Sequence, residues 1–236
     1  MFIKIHNFYK KNLFSDNILN IFINPFFWAR YSLHKEIKKN APHLNGDMLD
    51  IGCGKKPYKD FFSTTKYIGI DIEGSPNLAD EIYDGKTIPF PNETFDSVLC
   101  TQVFEHIFTP DTFINEIARV LKPGGKLLLT VPFAWDEHEQ PFDYARYSSF
   151  GINFILKNNG LKCLVQKKLC PSPLCLFQLT NTYIYKVIKS APKPIKIAIT
   201  LTIIPTINIV GAISYLLLPK NYDLFLDNAV LAEKIK

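Results

Sequence analysis

The sequence predicts an α/β fold built on a largely parallel sheet, and three observations carry that prediction. Short apolar runs bounded by turn residues alternate with segments of helical period. The first run, "DMLDIG", passes straight into the glycine pair Gly52 and Gly54, and ligands of open α/β sheets bind at that end of a strand. The composition is globular, with 47% hydrophobic and 21% charged residues in a chain of 236. That length suits one domain with additions.

Residues 1–45 read as a helical extension, with Phe26, Phe27, Trp28 and Tyr31 ahead of a basic "HKEIKK". Lys4, Lys10, Lys11, Lys35, Lys38 and Lys39 lie in the same extension. Such a mix suits an anionic membrane surface, and a solvated helix face accounts for it too. The core is expected over 46–170. Its strands are "DMLDIG", "KYIGIDI", a short one before Asp84, "FDSVLC", "KLLLTVPF" and "LKCLVQKKL". Between them "DTFINEIARVL" reads as a helix with Asp111 as its N-cap and "KPGG" as its stop. A second helix, "SSFGINFILKNNG", opens on serines and closes on Gly160.

Residues 171–222 differ in kind. A helix over 173–190 precedes "IAITLTIIPTINIVGAISYLLLP", residues 197–219, which contains no charge and is flanked by Lys193, Lys196 and Lys220. A bilayer span needs about 20 apolar residues, so the length is sufficient. Pro205, Asn208 and Gly211 interrupt the run. The final segment, 223–236, contains "NAVLAEK", which reads as one more strand. A single crossing would leave that strand across the membrane from its sheet, with unpaired backbone groups. A helical hairpin inserted before the last strand resolves this. It can bury on the sheet, form a homodimer face, or lie in a membrane interface. An apolar cap over the active site explains the same composition.

The bulk features exclude several classes. The net charge of +5 is mild and points to no nucleic-acid partner. Cys53, Cys100, Cys163, Cys170 and Cys175 form no CxxC pair, so they read as small buried hydrophobes in a reducing compartment, with no metal site. The start "MFIKIHNFYKKNLF" lacks the features of a signal peptide, which gives a cytoplasmic expectation, extended to the inner face of the membrane by the apolar segment.

The chemistry-bearing residues sit at strand ends. Glycines after the first strand let backbone approach a ligand, although a plain turn uses them equally. Asp71 ends "YIGID", 17 residues after Gly54, and an acid there can accept both hydroxyls of a ribose; the alternative is a turn or N-cap aspartate. Asp84, after a short third strand, can reach an exocyclic purine amine.

These segments resemble the class I S-adenosylmethionine-dependent methyltransferases, particularly the methyltransferase type 11 group. The resemblance rests on "LDIGCGKKPY", "YIGIDI", "DGKTIPFPNETFDSVLCTQVFEHI" and "LKPGGKLLLTVPF", in order, over about residues 47–165. It implies a Rossmann-like seven-stranded sheet with helices on both faces and an antiparallel last strand. By the same resemblance, Asp50, Gly52, Cys53 and Gly54 cradle the methionine part of S-adenosyl-L-methionine. Asp71 and Ile72 hold the ribose, Asp84 and Gly85 meet the adenine, and Gln102 lines the methionine side. Lys55 and Lys56 depart from the pattern, since many members have a third glycine or a small residue there.

The acceptor side falls in "DEHEQPFDYARYSS", residues 136–149. His138 is the candidate general base by its intrinsic pKa, with Asp143 next. In a purely structural loop, Asp143 pairs with Arg146 and Tyr147 packs under the sheet. His106 is expected to cap the turn that follows it. The resulting expectation is methyl transfer to an oxygen or nitrogen of a small-molecule, glycan or lipid-linked acceptor. A non-catalytic, membrane-associated cofactor-binding scaffold is the alternative. A nicotinamide-dependent oxidoreductase is disfavoured by the missing third glycine.

Overall fold

A computed structural model describes residues 17–74 and 78–235; Lys4, Lys10 and Lys11 lie outside them. The described chain forms two compact units. One joins the N-terminal residues up to Lys35 with Lys168–Leu226, and the other joins Glu36–Lys167 with the segment from Asp227 onward.

The second unit is the sheet. Its strands are β1 (Asp47–Ile51), β2 (Lys66–Ile72), β3 (Glu81–Tyr83), β4 (Phe95–Thr101), β5 (Leu121–Pro132), β6 (Leu161–Leu169) and β7 (Asp227–Lys234). They lie in the order β3-β2-β1-β4-β5-β7-β6. The pairs β1–β2, β1–β4, β2–β3 and β4–β5 are parallel, and β7 runs antiparallel to β5, with Leu128 opposite Leu231. "NAVLAEK" is therefore the antiparallel strand that the resemblance implies. Chain order reverses between β1 and β4, so a crevice for a ligand belongs above their carboxyl ends.

Alternation along the strands divides the core. Leu49, Ile51, Val98, Cys100, Leu127 and Leu129 face one side. There they meet α2 (Pro110–Val120) through Phe113, Ile114 and Ile117, and α3 (Ser149–Asn158) through Ile152 and Leu156. Met48, Leu99, Leu128 and Leu231 face the other side and pack with Ile37, from the C-terminal half of α1 (Phe27–Asn40), and with Leu44 and Tyr58. Both faces are covered, as a mostly parallel sheet requires.

Two helix ends differ from expectation. α2 begins at Pro110 with Thr109 as N-cap, so Asp111 lies in the first turn instead of capping it. Proline at the first helical position has its φ already set, and the acid still meets the positive end of the helix. The helix also stops at Val120, before "KPGG", and β5 runs through those residues. For α3 the reading holds: Ser148 is the N-cap and its hydroxyl accepts the Gly151 amide at 3.1 Å.

The other unit contains α4 (Leu174–Val187) and α5 (Lys193–Leu217). α5 is one continuous helix through Pro205, Asn208 and Gly211. Those residues do not interrupt it; with Ile204 they form its buried stripe. Asn208 donates to the Ile21 and Asn24 carbonyls at 2.8 and 3.2 Å and accepts from Asn181 at 2.8 Å. Gln178 accepts the Trp28 amide at 3.0 Å and donates to the Pro25 carbonyl at 2.7 Å. A Cβ on Gly211 would meet Phe177 at 2.9 Å. Small and polar groups are thus inside, while Leu201, Ile213, Leu216 and Leu217 face outward. Among the described residues α5 is the one helix long and apolar enough to cross a membrane. The stalks leading in and out are zipped together: the Ser172 amide bonds the Leu224 carbonyl at 2.9 Å, and Leu226 bonds Leu169 at 3.0 Å.

Candidate active site

The glycine loop follows β1 directly. Gly52 and Cys53 donate their amides to the Ile70 carbonyl of β2 at 2.9 and 3.1 Å, folding the loop over the sheet edge. Gly52 has φ +65°, and a Cβ there would strike Val103 at 2.3 Å. Gly54 has φ +49° and open space where its Cβ would stand. The first glycine is required by packing; the second leaves bare backbone facing a vacant volume, as a ligand cradle needs. Lys56 also lies in the left-handed region, at φ 52°. Its ammonium bonds Asp80 at 2.6 Å, so a charged lysine stands where the resemblance favours glycine and ties the loop to the segment before β3.

Asp71, near the end of β2, reaches this loop. Its carboxylate accepts the Gly54 amide at 3.0 Å and the Ile72 amide at 2.8 Å, and the residue is buried. Glycine turn and acid, 17 positions apart, therefore meet by a direct bond. Asp50 lies below them, buried, accepting the Tyr67 hydroxyl; burial pushes its carboxyl up to about 7. Burial likewise pushes the Cys53 thiol up to about 12, so it is a packed neutral group. Half-exposed Ile72 stands 3.4 Å from the Cβ position of Gly85. Asp84 is exposed and accepts the Lys86 and Thr87 amides, both at 2.8 Å, and those bonds hold its carboxyl below the usual range. Gln102 has φ 55°, donates its amide to the Thr130 carbonyl at 3.0 Å and bonds Asp227. Burial pushes Asp227 up to about 7.

A second cluster lies beyond β4 and β5. The backbone carbonyl of Glu105 accepts the Tyr144 and Ala145 amides at 2.9 and 3.2 Å, which pins the 136–147 loop to the short helical turn Phe104–His106. His138 places Nδ1 3.1 Å from Asp143, while Arg146 grips both carboxylate oxygens of Asp143 at 2.6 Å. That guanidinium holds Asp143 well below the usual carboxylate range, so it stays ionised. Tyr147 stacks on Phe104 with centroids 4.7 Å apart. The Asp143–Arg146 pairing weighed as a structural alternative is present, and His138 is attached to it. His106 differs from expectation: its Nδ1 meets the Phe142 carbonyl at 2.8 Å, across the loop, and caps no following turn.

Sequence reasoning missed Glu105. Its side chain is 0% exposed, neither carboxylate oxygen has a hydrogen-bond partner, and burial raises its carboxyl to about 8. The signal was present as an acid between Phe104 and His106, in the short turn beyond the fourth strand. Nothing local says that the turn directs it inward. Asp227 was missed for the same reason, since it opens a strand that pairs 95 positions away with Pro132.

A seven-stranded sheet in this order, with one antiparallel strand and a glycine loop bonded to an acid at the switch point, defines the class I S-adenosylmethionine-dependent methyltransferase fold. Residues 49–129, about a third of the chain, match the methyltransferase-domain family. The chain is 30% identical over 128 residues to a ubiquinone biosynthesis O-methyltransferase of Bradyrhizobium sp., covering 46% of this chain and 51% of that one. It is 31% identical over 99 residues to a fatty-acid O-methyltransferase of Mycolicibacterium smegmatis, covering 35% and 36%. The chain spans about half or less of the length of the curated relatives it matches. Among solved structures, phosphoethanolamine N-methyltransferase 2 of Haemonchus contortus, in complex with S-adenosyl-L-methionine, shares the fold. Its TM-score is 0.55 at 20% identity, over 98% of this chain and 60% of that one. The cyclase SpnF shares it equally well, with a TM-score of 0.55 at 16% identity over 89% and 82%.

Proposed function

We propose that the protein transfers the methyl group of S-adenosyl-L-methionine to an oxygen or nitrogen of a small-molecule, glycan or lipid-linked acceptor. The observation that carries this reading is the bond between Asp71 and the Gly54 amide, beside open space at Gly54. Fold alone does not decide the chemistry, since a cyclase shares it. The residues present fit the cofactor: bare backbone at Gly54, a buried acid at a strand tip, and Ile72 with Gly85 as an apolar flank. When bound, it supplies a methyl group already activated on a sulfonium.

The protein's part is placement and proton handling. Asp71 would accept the ribose hydroxyls, and Asp84 and Gly85 would meet the adenine. Asp50 and Cys53 would support the loop from beneath, and Gln102, held to β5, would border the methionine side. His138, with Nδ1–H donated to the Asp136 carbonyl and its backbone amide donated to Asp143, has its Nε2 lone pair free to take an acceptor proton. Asp143 is then a positioning residue.

The outward apolar face of α5 supports an acceptor presented at a membrane. The ubiquinone and fatty-acid O-methyltransferases among the relatives agree with an apolar acceptor. Incubation with methyl-labelled S-adenosyl-L-methionine and lipid extracts tests the reading. Label entering a lipid fraction, with release of S-adenosylhomocysteine, is expected. Cofactor binding with no transfer to lipid, glycan or small-molecule pools would favour the scaffold alternative.

A further inference from the structure

Glu105, His106 and His138 converge in a way that proton handling by His138 alone does not explain. Their ligand-capable atoms all lie within 4.8 Å of one another. The Glu105 Oε1 stands 3.9 Å from His106 Nε2 and 3.8 Å from His138 Nε2. Both rings are fixed from behind. His106 Nδ1 meets a carbonyl, which only accepts, so that nitrogen carries the proton and Nε2 keeps its lone pair. His138 Nδ1 meets the Asp143 carboxylate and, at 3.3 Å, the Asp136 carbonyl, which gives the same tautomer. Two lone pairs and a buried carboxylate without a hydrogen-bond partner therefore point at one spot. A buried carboxylate normally has a partner, and a cation would provide it.

We infer that Glu105, His106 and His138 form a binding site for a divalent first-row transition-metal ion on the acceptor side of the domain. Two imidazoles and one carboxylate suit zinc, iron(II), cobalt(II) or manganese(II), whereas magnesium takes all-oxygen sites. Metal–ligand bonds of about 2.1 Å separate neighbouring ligands by about 3–3.5 Å, so closure by about an ångström completes the site. The exposed carboxylate of Glu139, 3.8 Å from His106 Nε2, is within reach as a fourth ligand. The backbone carbonyls behind the two imidazoles, with the Asp143 carboxylate holding the His138 backbone amide, are the outer-shell groups that orient metal-binding histidines. With an ion bound, His138 Nε2 serves as a ligand. An acceptor hydroxyl coordinated at an open position would lose its proton to solvent more readily, because the ion stabilises the oxyanion. Only this use rests on the methyltransferase reading; the site itself does not.

The test uses the full chain stripped with a chelator, then titrated with Zn²⁺ and, for its visible spectrum, Co²⁺. One ion per chain is expected, with a cobalt spectrum of mixed nitrogen and oxygen ligation. Glu105→Gln, which keeps shape, and His138→Ala should each weaken affinity at least tenfold, and Asp143→Asn by about 10–100-fold. His43→Ala, at an exposed histidine elsewhere, should change nothing. Binding that is absent from the folded parent, or unchanged in Glu105→Gln and His138→Ala, would overturn the site. Titrating the same stripped protein with S-adenosyl-L-methionine keeps a failure of the metal site distinct from a failure of the cofactor reading.

Discussion

At Asp50 a single carboxyl links the fold to pH. Burial raises it to about 7 in the folded chain, against about 3.9 unfolded. A raised folded value means the native state keeps the proton longer. The stabilisation is full below about pH 4 and is lost as pH rises through about 7. Asp50→Asn still accepts the Tyr67 hydroxyl but has no proton to lose. Thermal melts of the variant should therefore lose up to about 1.4 kcal/mol per pH unit of the parent's decline between pH 4 and 7. A parent-like slope in the variant would show that Asp50 does not titrate there. The positions of Gly52, Gly54 and Asp71 at strand ends were legible in the apolar runs that precede them. Glu105 was not, because its burial is decided by a loop more than thirty positions later folding back onto its carbonyl.

For α5 the decisive fact is which residues are inside. Asn208 bonds two carbonyls and Asn181, so Asn208→Ala leaves those groups without it. Each buried group left unpaired costs about 1–3 kcal/mol, and denaturant unfolding should report a loss in that range or above. Outward leucines carry no such cost. Leu216→Glu with Leu217→Glu should leave stability near the parent value, because those side chains are 81% and 77% exposed. The same pair should abolish flotation with anionic liposomes if this face meets lipid. Flotation unchanged in the double variant would place the lipid contact elsewhere. The length and apolarity of this helix were readable in the chain. Its inverted pattern was not: Pro205, Asn208 and Gly211 read as breaks, and only packing against α4 and the Ile21–Asn24 segment shows them to be a contact stripe.

Across the whole chain, topology constrains any membrane engagement. β6 and β7 are neighbours in one sheet, so the excursion between them leaves and returns on the same side. α4 has 14 residues, a length of about 21 Å at 1.5 Å per residue. A hydrocarbon core is about 30 Å thick, so α4 cannot complete a second crossing to match α5. Association should therefore be peripheral and released by carbonate, and protease protection confined to one flank would contradict the antiparallel pairing of β7. The α/β class was legible in the alternation of apolar runs with segments of helical period, and the antiparallel last strand through the family resemblance; the strand order was not read. The division into two units was not, since residues up to Lys35 join a segment more than 130 positions away.

Calorimetric titration with S-adenosyl-L-methionine, of the parent and of Asp71→Ala, tests the central assignment most directly. Asp71 closes the glycine loop and supplies the charged acceptor at the tip of β2. One-site binding by the parent, no binding of NAD, and a loss of about 1.5–3 kcal/mol in the folded variant are expected. Equal affinity in parent and variant, or heat from NAD and none from S-adenosyl-L-methionine, would contradict it.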